Sequence, residues 1–128
     1  MSRTHPQPSL TGRRVLVVED EFFVADDLVQ ALTRLGAEVL GPVPTRDEAL
    51  DLLATAEKID LAVLDINLED EAVYPVADLL AAQGVPFLFA TGYSQAAVPT
   101  QYRHVPRWEK PFNPQTLADA LPALLRDQ

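Results

Sequence analysis

The sequence contains no cysteine, which excludes a disulfide framework, a thiolate metal site and a thiol nucleophile. That absence fits a cytoplasmic protein. No apolar run approaches the ~20 residues that a membrane-spanning helix requires, so no membrane association is expected. The opening stretch Met1–Gly12 is polar, carries Pro6 and Pro8, and lacks the apolar core of a signal peptide. Positive charge is scarce as well: 10 Lys and Arg stand against 19 Asp and Glu, a formal net charge of −9 with a pI near 4.5. Such a surface repels polyphosphate, so a nucleic-acid partner is not expected. Histidine occurs twice, at His5 and His104, neither with metal-ligand neighbours in sequence.

What remains is an ordinary globular composition. In 128 residues, 48% are apolar and 23% charged, enough for one domain to bury a core without covalent staples. We read residues 1–12 as a flexible tail and 13–128 as a single domain.

Short apolar strands alternate with helical patterns along the chain. Val15–Val18 is a β-branched run ending at Glu19-Asp20-Glu21, as expected of a strand buried on both faces. Val24, Leu28, Leu32 and Leu35 then recur at helical spacing, with Gly36 at the expected C-terminal cap. Glu38–Leu40 is a second strand, stopped by Gly41-Pro42. Thr45 and Glu48 match a capping box, opening a helix that turns Leu50, Leu53 and Ala54 inward. Leu61–Leu64 is a fully apolar strand that runs into Asp65. Pro75 opens a helix through Leu79 and Leu80, closed by Gly84. Val85–Ala90 is a fourth strand ending at Thr91-Gly92, and His104–Glu109 a fifth. Asn113-Pro114 starts the last helix, which contains Pro122, a residue that costs a helix interior ~3 kcal/mol or kinks it.

This alternation predicts an α/β fold: a doubly wound parallel sheet of flavodoxin-like (βα)5 type. Pro106 cannot donate to a ladder, so the fifth strand belongs at an edge, and the order 2-1-3-4-5 places the apolar strands centrally. Where a fourth helix belongs, Ser94–Thr100 is short, lacks apolar periodicity and carries Pro99, so that helix is expected to be short or irregular.

In such a sheet ligands bind at the carboxyl ends of the strands, beside the switch in strand order. The first and third strands both end there in acids, Glu19-Asp20 and Asp65. Converging carboxylates repel one another and raise each other's pKa; a hard divalent cation, magnesium above all, relieves this. Thr91 and Lys110 end the fourth and fifth strands on the same side. A hydroxyl and an ammonium beside a metal-bound carboxylate form a cradle for phosphoryl oxygens, with Asp65 the nucleophile.

The ordered set Val-Val-Glu19-Asp20-Glu21, Leu64-Asp65, Ala90-Thr91 and Lys110-Pro111-Phe112 resembles the response-regulator receiver domain, over Arg14 to about Leu125. The resemblance implies Asp20 and Asp65 as direct magnesium ligands, Glu19 acting through water, and the backbone carbonyl of Asn67 as a further ligand. Within the family, Phe87–Tyr93 resembles the FAT GUY receivers. These are typically stand-alone regulators of alphaproteobacteria, associated with general stress signalling and with histidine kinases of the HWE or HisKA_2 type. Arg107 stands three residues before the lysine, where typical receivers carry an aromatic switch residue, with Trp108 beside it.

The implied function is a free-standing phosphoacceptor that takes a phosphoryl group from a histidine kinase onto Asp65. It would pass the signal to a downstream protein target or phosphotransferase, as a monomer or weak dimer, and be no enzyme beyond chemistry on its own aspartate. Phe22 and Phe23 open the first helix, and Phe23 shares its side with Asp26, Asp27 and Gln30; an exposed aromatic there suits kinase docking. Two other readings use the same residues. A haloacid-dehalogenase-like phosphatase also uses a strand-end aspartate, but needs a general acid at the position of Asn67. A pseudo-receiver would bind partners without phosphorylation.

Overall fold

The computed structural model describes residues 9–56, 58–68, 71–92 and 98–126, with only the backbone of Asn67, Glu71 and Arg126. Five parallel strands form the sheet: β1 (Arg14–Val18), β2 (Glu38–Val43), β3 (Leu61–Asp65), β6 (Phe87–Thr91) and β7 (Arg107–Glu109), in the order β2-β1-β3-β6-β7. Counting only these strands, that is the flavodoxin-like order 2-1-3-4-5. A two-residue antiparallel ladder, β4 (Asn67–Leu68) with β5 (Glu71–Ala72), follows β3.

Alternate residues of the central strands face opposite layers. Leu16, Val18, Ala62, Leu64, Phe87 and Phe89 pack toward α2 (Arg46–Thr55) and α3 (Tyr74–Ala82). Val15, Val17, Leu61, Val63 and Leu88 pack toward α1 (Phe22–Arg34) and α4 (Pro114–Arg126). On the first face Tyr74 stacks on Tyr102 with centroids 5.9 Å apart, and both rings meet Phe89 edge-on. The half-buried Trp108 packs on the second face, paired with Ala90 across the β6–β7 ladder.

Helix ends follow local chemistry. The Thr45 hydroxyl accepts from the Glu48 amide at 3.1 Å and donates to the Glu48 carboxylate at 3.1 Å, capping α2. Asn113 Oδ1 accepts from the Thr116 amide at 3.0 Å and caps α4. That helix continues through Pro122 to Arg126; full burial of Leu117 and Leu121, worth ~1.5–3 kcal/mol each, offsets the ~3 kcal/mol proline penalty.

Several expectations are corrected. The packed body begins before Arg13: Leu10 is fully buried, and its amide donates to the Leu35 carbonyl at 2.8 Å. The second strand does not stop at Gly41-Pro42 but runs to Val43, with a register shift between Leu16 and Val18. Gly41 has φ +95°, and a Cβ there would lie 2.8 Å from the Val43 nitrogen and 2.9 Å from the Val17 carbonyl oxygen, so only glycine fits. In α2 the buried positions are Ala49 and Leu53, while Leu50 is partly buried and Ala54 faces solvent. The fifth strand is only Arg107–Glu109, with Pro106 just outside it, although its carbonyl still accepts from the Phe89 amide at 2.9 Å. It is an edge strand, as expected. Between β6 and β7 the described residues form only a 3-10 turn, Thr100–Tyr102; Tyr93–Ala97 lie outside the described residues.

Candidate functional site

The carboxyl ends of β1, β3, β6 and β7 deliver the site. The extension of β2 through Val43 matters here, because the Val43 carbonyl accepts the Glu19 amide at 3.0 Å and fixes the backbone just past β1. Ile66 donates to the Ala90 carbonyl at 3.0 Å, locking the end of β3 against β6, and the Lys110 amide donates to the Thr91 carbonyl at 2.7 Å, setting the lysine beside the threonine.

Glu19, Asp65 and Thr91 are buried, Asp20 partly so. Glu19, Asp20 and Asp65 each offer a carboxylate oxygen within 4.8 Å of the other two. Lys110 Nζ donates to Glu21 Oε1 at 2.6 Å, Glu19 Oε2 at 2.9 Å and Asp65 Oδ2 at 3.4 Å. A cleft of about 710 Å³ opens over the group, lined among others by Asp20, Asp65, Gly92, Lys110 and Phe112. Burial first, and then the neighbouring Glu19 carboxylate, push the Asp65 carboxyl up to about 8, with Lys110 pulling the other way. Burial works against the Lys110 charge, but the hydrogen bonds to Glu21 and Glu19 and the field of Asp65 outweigh it and hold the ammonium above its ordinary range.

One buried oxygen, Glu19 Oε1, has no hydrogen-bond partner. An orphaned carboxylate oxygen inside a three-carboxylate cluster is the environment a hard divalent cation completes, so the donor set fits magnesium. Asn67 lies two residues past Asp65, in the short ladder, paired with Ala72.

Phe22 and Phe23 are both largely exposed, at 73% and 79%, and meet edge-to-face 5.3 Å apart. The expected exposure of Phe23 therefore extends to Phe22. Arg107 is exposed on β7, near enough to Tyr74 for its charge to draw that phenol's pKa down, against the larger opposing effect of burial. No sequence pattern signalled the Glu21 contact with Lys110, which joins residues 89 positions apart. Nor did any pattern signal that Tyr102 donates its hydroxyl to Asp78, tying the 3-10 turn to α3.

No family model matches the chain. Among curated proteins it is 33% identical over 108 residues to the phyllosphere-induced regulator PhyR of Methylorubrum extorquens, an alignment covering 81% of this chain and 40% of PhyR. The chain spans 40% to 55% of the length of the first curated relatives it matches. Among solved structures, SdrG from Sphingomonas melonis Fr1 is 41% identical with a TM-score of 0.77, covering 88% of this chain and 96% of SdrG. The PhyR response-regulator REC domain of Erythrobacter litoralis is 28% identical with a TM-score of 0.78, covering 92% of this chain and 93% of that domain. Likeness over nearly the whole of both chains, on a sheet whose strand ends gather acids, threonine and lysine, leads to one assignment: this chain belongs to the response-regulator receiver family.

Proposed function

We propose that the protein accepts a phosphoryl group from a histidine kinase onto Asp65 and signals through phosphorylation-dependent protein contacts or onward relay. The observation that carries this reading is the convergence of Asp65, Lys110 and the Glu19–Asp20 pair in one cleft. In the transfer, an Asp65 carboxylate oxygen attacks phosphorus, the bond from phosphorus to the donor's imidazole nitrogen breaks, and the imidazole leaves with its electron pair. Asp65 must be ionised to attack, and Lys110 favours that form. The Thr91 hydroxyl and the Lys110 ammonium then serve as donors to the phosphoryl oxygens. Magnesium would be held by Asp20 and Asp65, by Glu19 through water and by the backbone carbonyl of Asn67. When bound it supplies positive charge against the carboxylates and the phosphoryl oxygens. SdrG, one of the relatives, has a BeF3-activated conformation; beryllofluoride is a phosphoryl mimic, which supports an Asp65-centred switch in this chain too.

Incubation with acetyl phosphate and magnesium, read by intact mass, tests the reading. One phosphoryl group per chain is expected on the wild type and none on Asp65→Asn, whose amide is isosteric but a poor nucleophile. Unchanged labelling of that variant would sink the assignment, and turnover of many substrate molecules would favour a phosphatase.

The kinase would be of the HWE or HisKA_2 type, and the protein a cytoplasmic monomer or weak dimer in a stress-response pathway. For docking we assign Phe22 and Phe23, the exposed aromatic pair opening α1 beside the cleft. A buried aromatic anchor contributes ~2 kcal/mol or more to binding. Phe23→Ala should therefore slow transfer from the cognate kinase by tenfold or more, on the order of that energy, while labelling by acetyl phosphate stays nearly unchanged. Equal loss in both assays would mean a damaged pocket, and no loss in either would remove Phe23 from the docking surface.

A further inference from the structure

The shortest contact of Lys110 is not with the aspartate it is expected to serve. Its ammonium has three N–H donors, and carboxylates take all three: Glu21 at 2.6 Å, Glu19 at 2.9 Å and Asp65, the longest, at 3.4 Å. The three carboxylates differ in freedom. The Glu19 side chain is 1% exposed and that of Asp65 5%, whereas the Glu21 side chain is 60% exposed. Glu21 also stands outside the cluster of Glu19, Asp20 and Asp65 that suits a cation.

The backbone of Glu21 is well anchored. Its amide donates to Glu19 Oε2 at 3.1 Å, and its carbonyl accepts from the Ala25 amide at 2.9 Å, at the N-terminal cap of α1. The side chain therefore starts from a fixed point and ends in solvent, able to reach the lysine or to leave it for water.

We propose that Glu21 is a positioning residue for Lys110, holding the ammonium off Asp65 and competing for it with a phosphoryl group. The proposal deepens the phosphoacceptor reading of Asp65 and rests on it. A phosphoryl group on Asp65 adds negative charge within reach of Lys110. To turn fully toward it, the ammonium must give up a carboxylate. Buried Glu19 cannot exchange its partner for bulk water, but Glu21 can, so Glu21 is the one released. Whatever hold Glu21 keeps is subtracted from the stabilisation Lys110 gives the attack and the aspartyl phosphate. Removing it should speed phosphorylation by small donors and lengthen the life of the phosphorylated form.

Two substitutions separate positioning from plain charge repulsion. Glu21→Gln removes the charge. Glu21→Asp keeps it but shortens the side chain by one methylene, which from the same anchored backbone draws the carboxylate back from Lys110. Repulsion of an anionic donor would leave Glu21→Asp like wild type and would not alter the lifetime of a phosphoryl group already in place. With Glu21 as a positioning residue, both variants label faster with acetyl phosphate and magnesium, and both hold the phosphoryl group longer after donor removal. Each effect should be about two- to fivefold, the size of one partly exposed ion pair. The ¹⁵N resonance of Lys110 Nζ should also shift in both variants before any donor is added.

Labelling and lifetime equal to wild type in both variants overturn the proposal and leave Asp65 as phosphoacceptor. Faster labelling in Glu21→Gln alone, with lifetime unchanged, overturns it in favour of repulsion. No labelling of the wild type overturns the phosphoacceptor reading itself, and the proposal with it.

Discussion

Two buried aspartates at opposite ends of the sheet show how differently one side chain can be treated. Asp60, just before β3, is 8% exposed; its carboxylate accepts the Arg14 amide at 2.8 Å and lies 3.7 Å from Arg13 and 3.5 Å from Lys58. Asp65, at the other end of the same strand, is 4% exposed and shares one ammonium with Glu19 and Glu21. Asp60 is surrounded by donors and fastens the start of β1 to the start of β3. Asp65 is crowded by its own kind. The first arrangement stabilises the folded chain, and the second leaves an excess of negative charge that a cation or a cationic side chain is needed to offset.

Substitution at the two aspartates should therefore move stability in opposite directions. Asp60→Ala leaves the Arg14 amide without its acceptor and should cost about 1–3 kcal/mol in denaturant unfolding. Asp65→Asn removes a carboxyl whose ionisation is disfavoured in the fold, without changing shape, and should raise the melting temperature of metal-free protein at neutral pH. A loss of stability in both variants would mean that Asp65 is as well satisfied as Asp60.

Magnesium sharpens the contrast. At a hundred times its dissociation constant, a ligand bound only by the native state stabilises it by about 2.7 kcal/mol, so the metal should raise the wild-type melting temperature. Asp20→Ala should lose most of that response. Equal gains in both proteins would remove Asp20 from the ligand set.

The pH profile of metal-free protein tests the crowding of Asp65 directly. With Asp65 pushed up to about 8 against an unfolded value near 3.9, the native state binds more protons than the unfolded state between those values. Stability from this group is fully present below about 4, is lost as pH rises, and is gone above about 8. Asp65→Asn should flatten the profile across that window, and an unchanged slope would place the titrating group elsewhere.

The sequence made the central strands and four of the strand-end positions legible for one reason: strands buried on both faces are apolar without interruption, so the first polar residue marks the end of the sheet. The same logic found Glu19, Asp20, Asp65 and Thr91. It failed where one residue acts against the character of its surroundings. Leu10 sits in a polar stretch, and its burial depends on α1 ending beside it. Gly41-Pro42 reads as a stop, yet the backbone there takes a conformation open to glycine and the ladder resumes at Val43. Ala54 carries too little apolar surface to decide which way α2 faces. The Glu21–Lys110 contact joins two distant segments only after the sheet has formed, and no local pattern encodes it.

Trp108 is the single tryptophan of the chain. It pairs with Ala90 across the β6–β7 ladder and lies half-buried against the face shared with α1 and α4. Thr91 follows its ladder partner directly, and Lys110 stands two residues after Trp108, just past the end of β7. Indole emission depends on solvent contact and nearby charge, so fluorescence from this protein reports on one place, the strand end that presents the lysine. The molecule thus carries a built-in optical probe of that strand end, and the magnesium and phosphoryl-transfer experiments proposed above can be read through it without an attached dye.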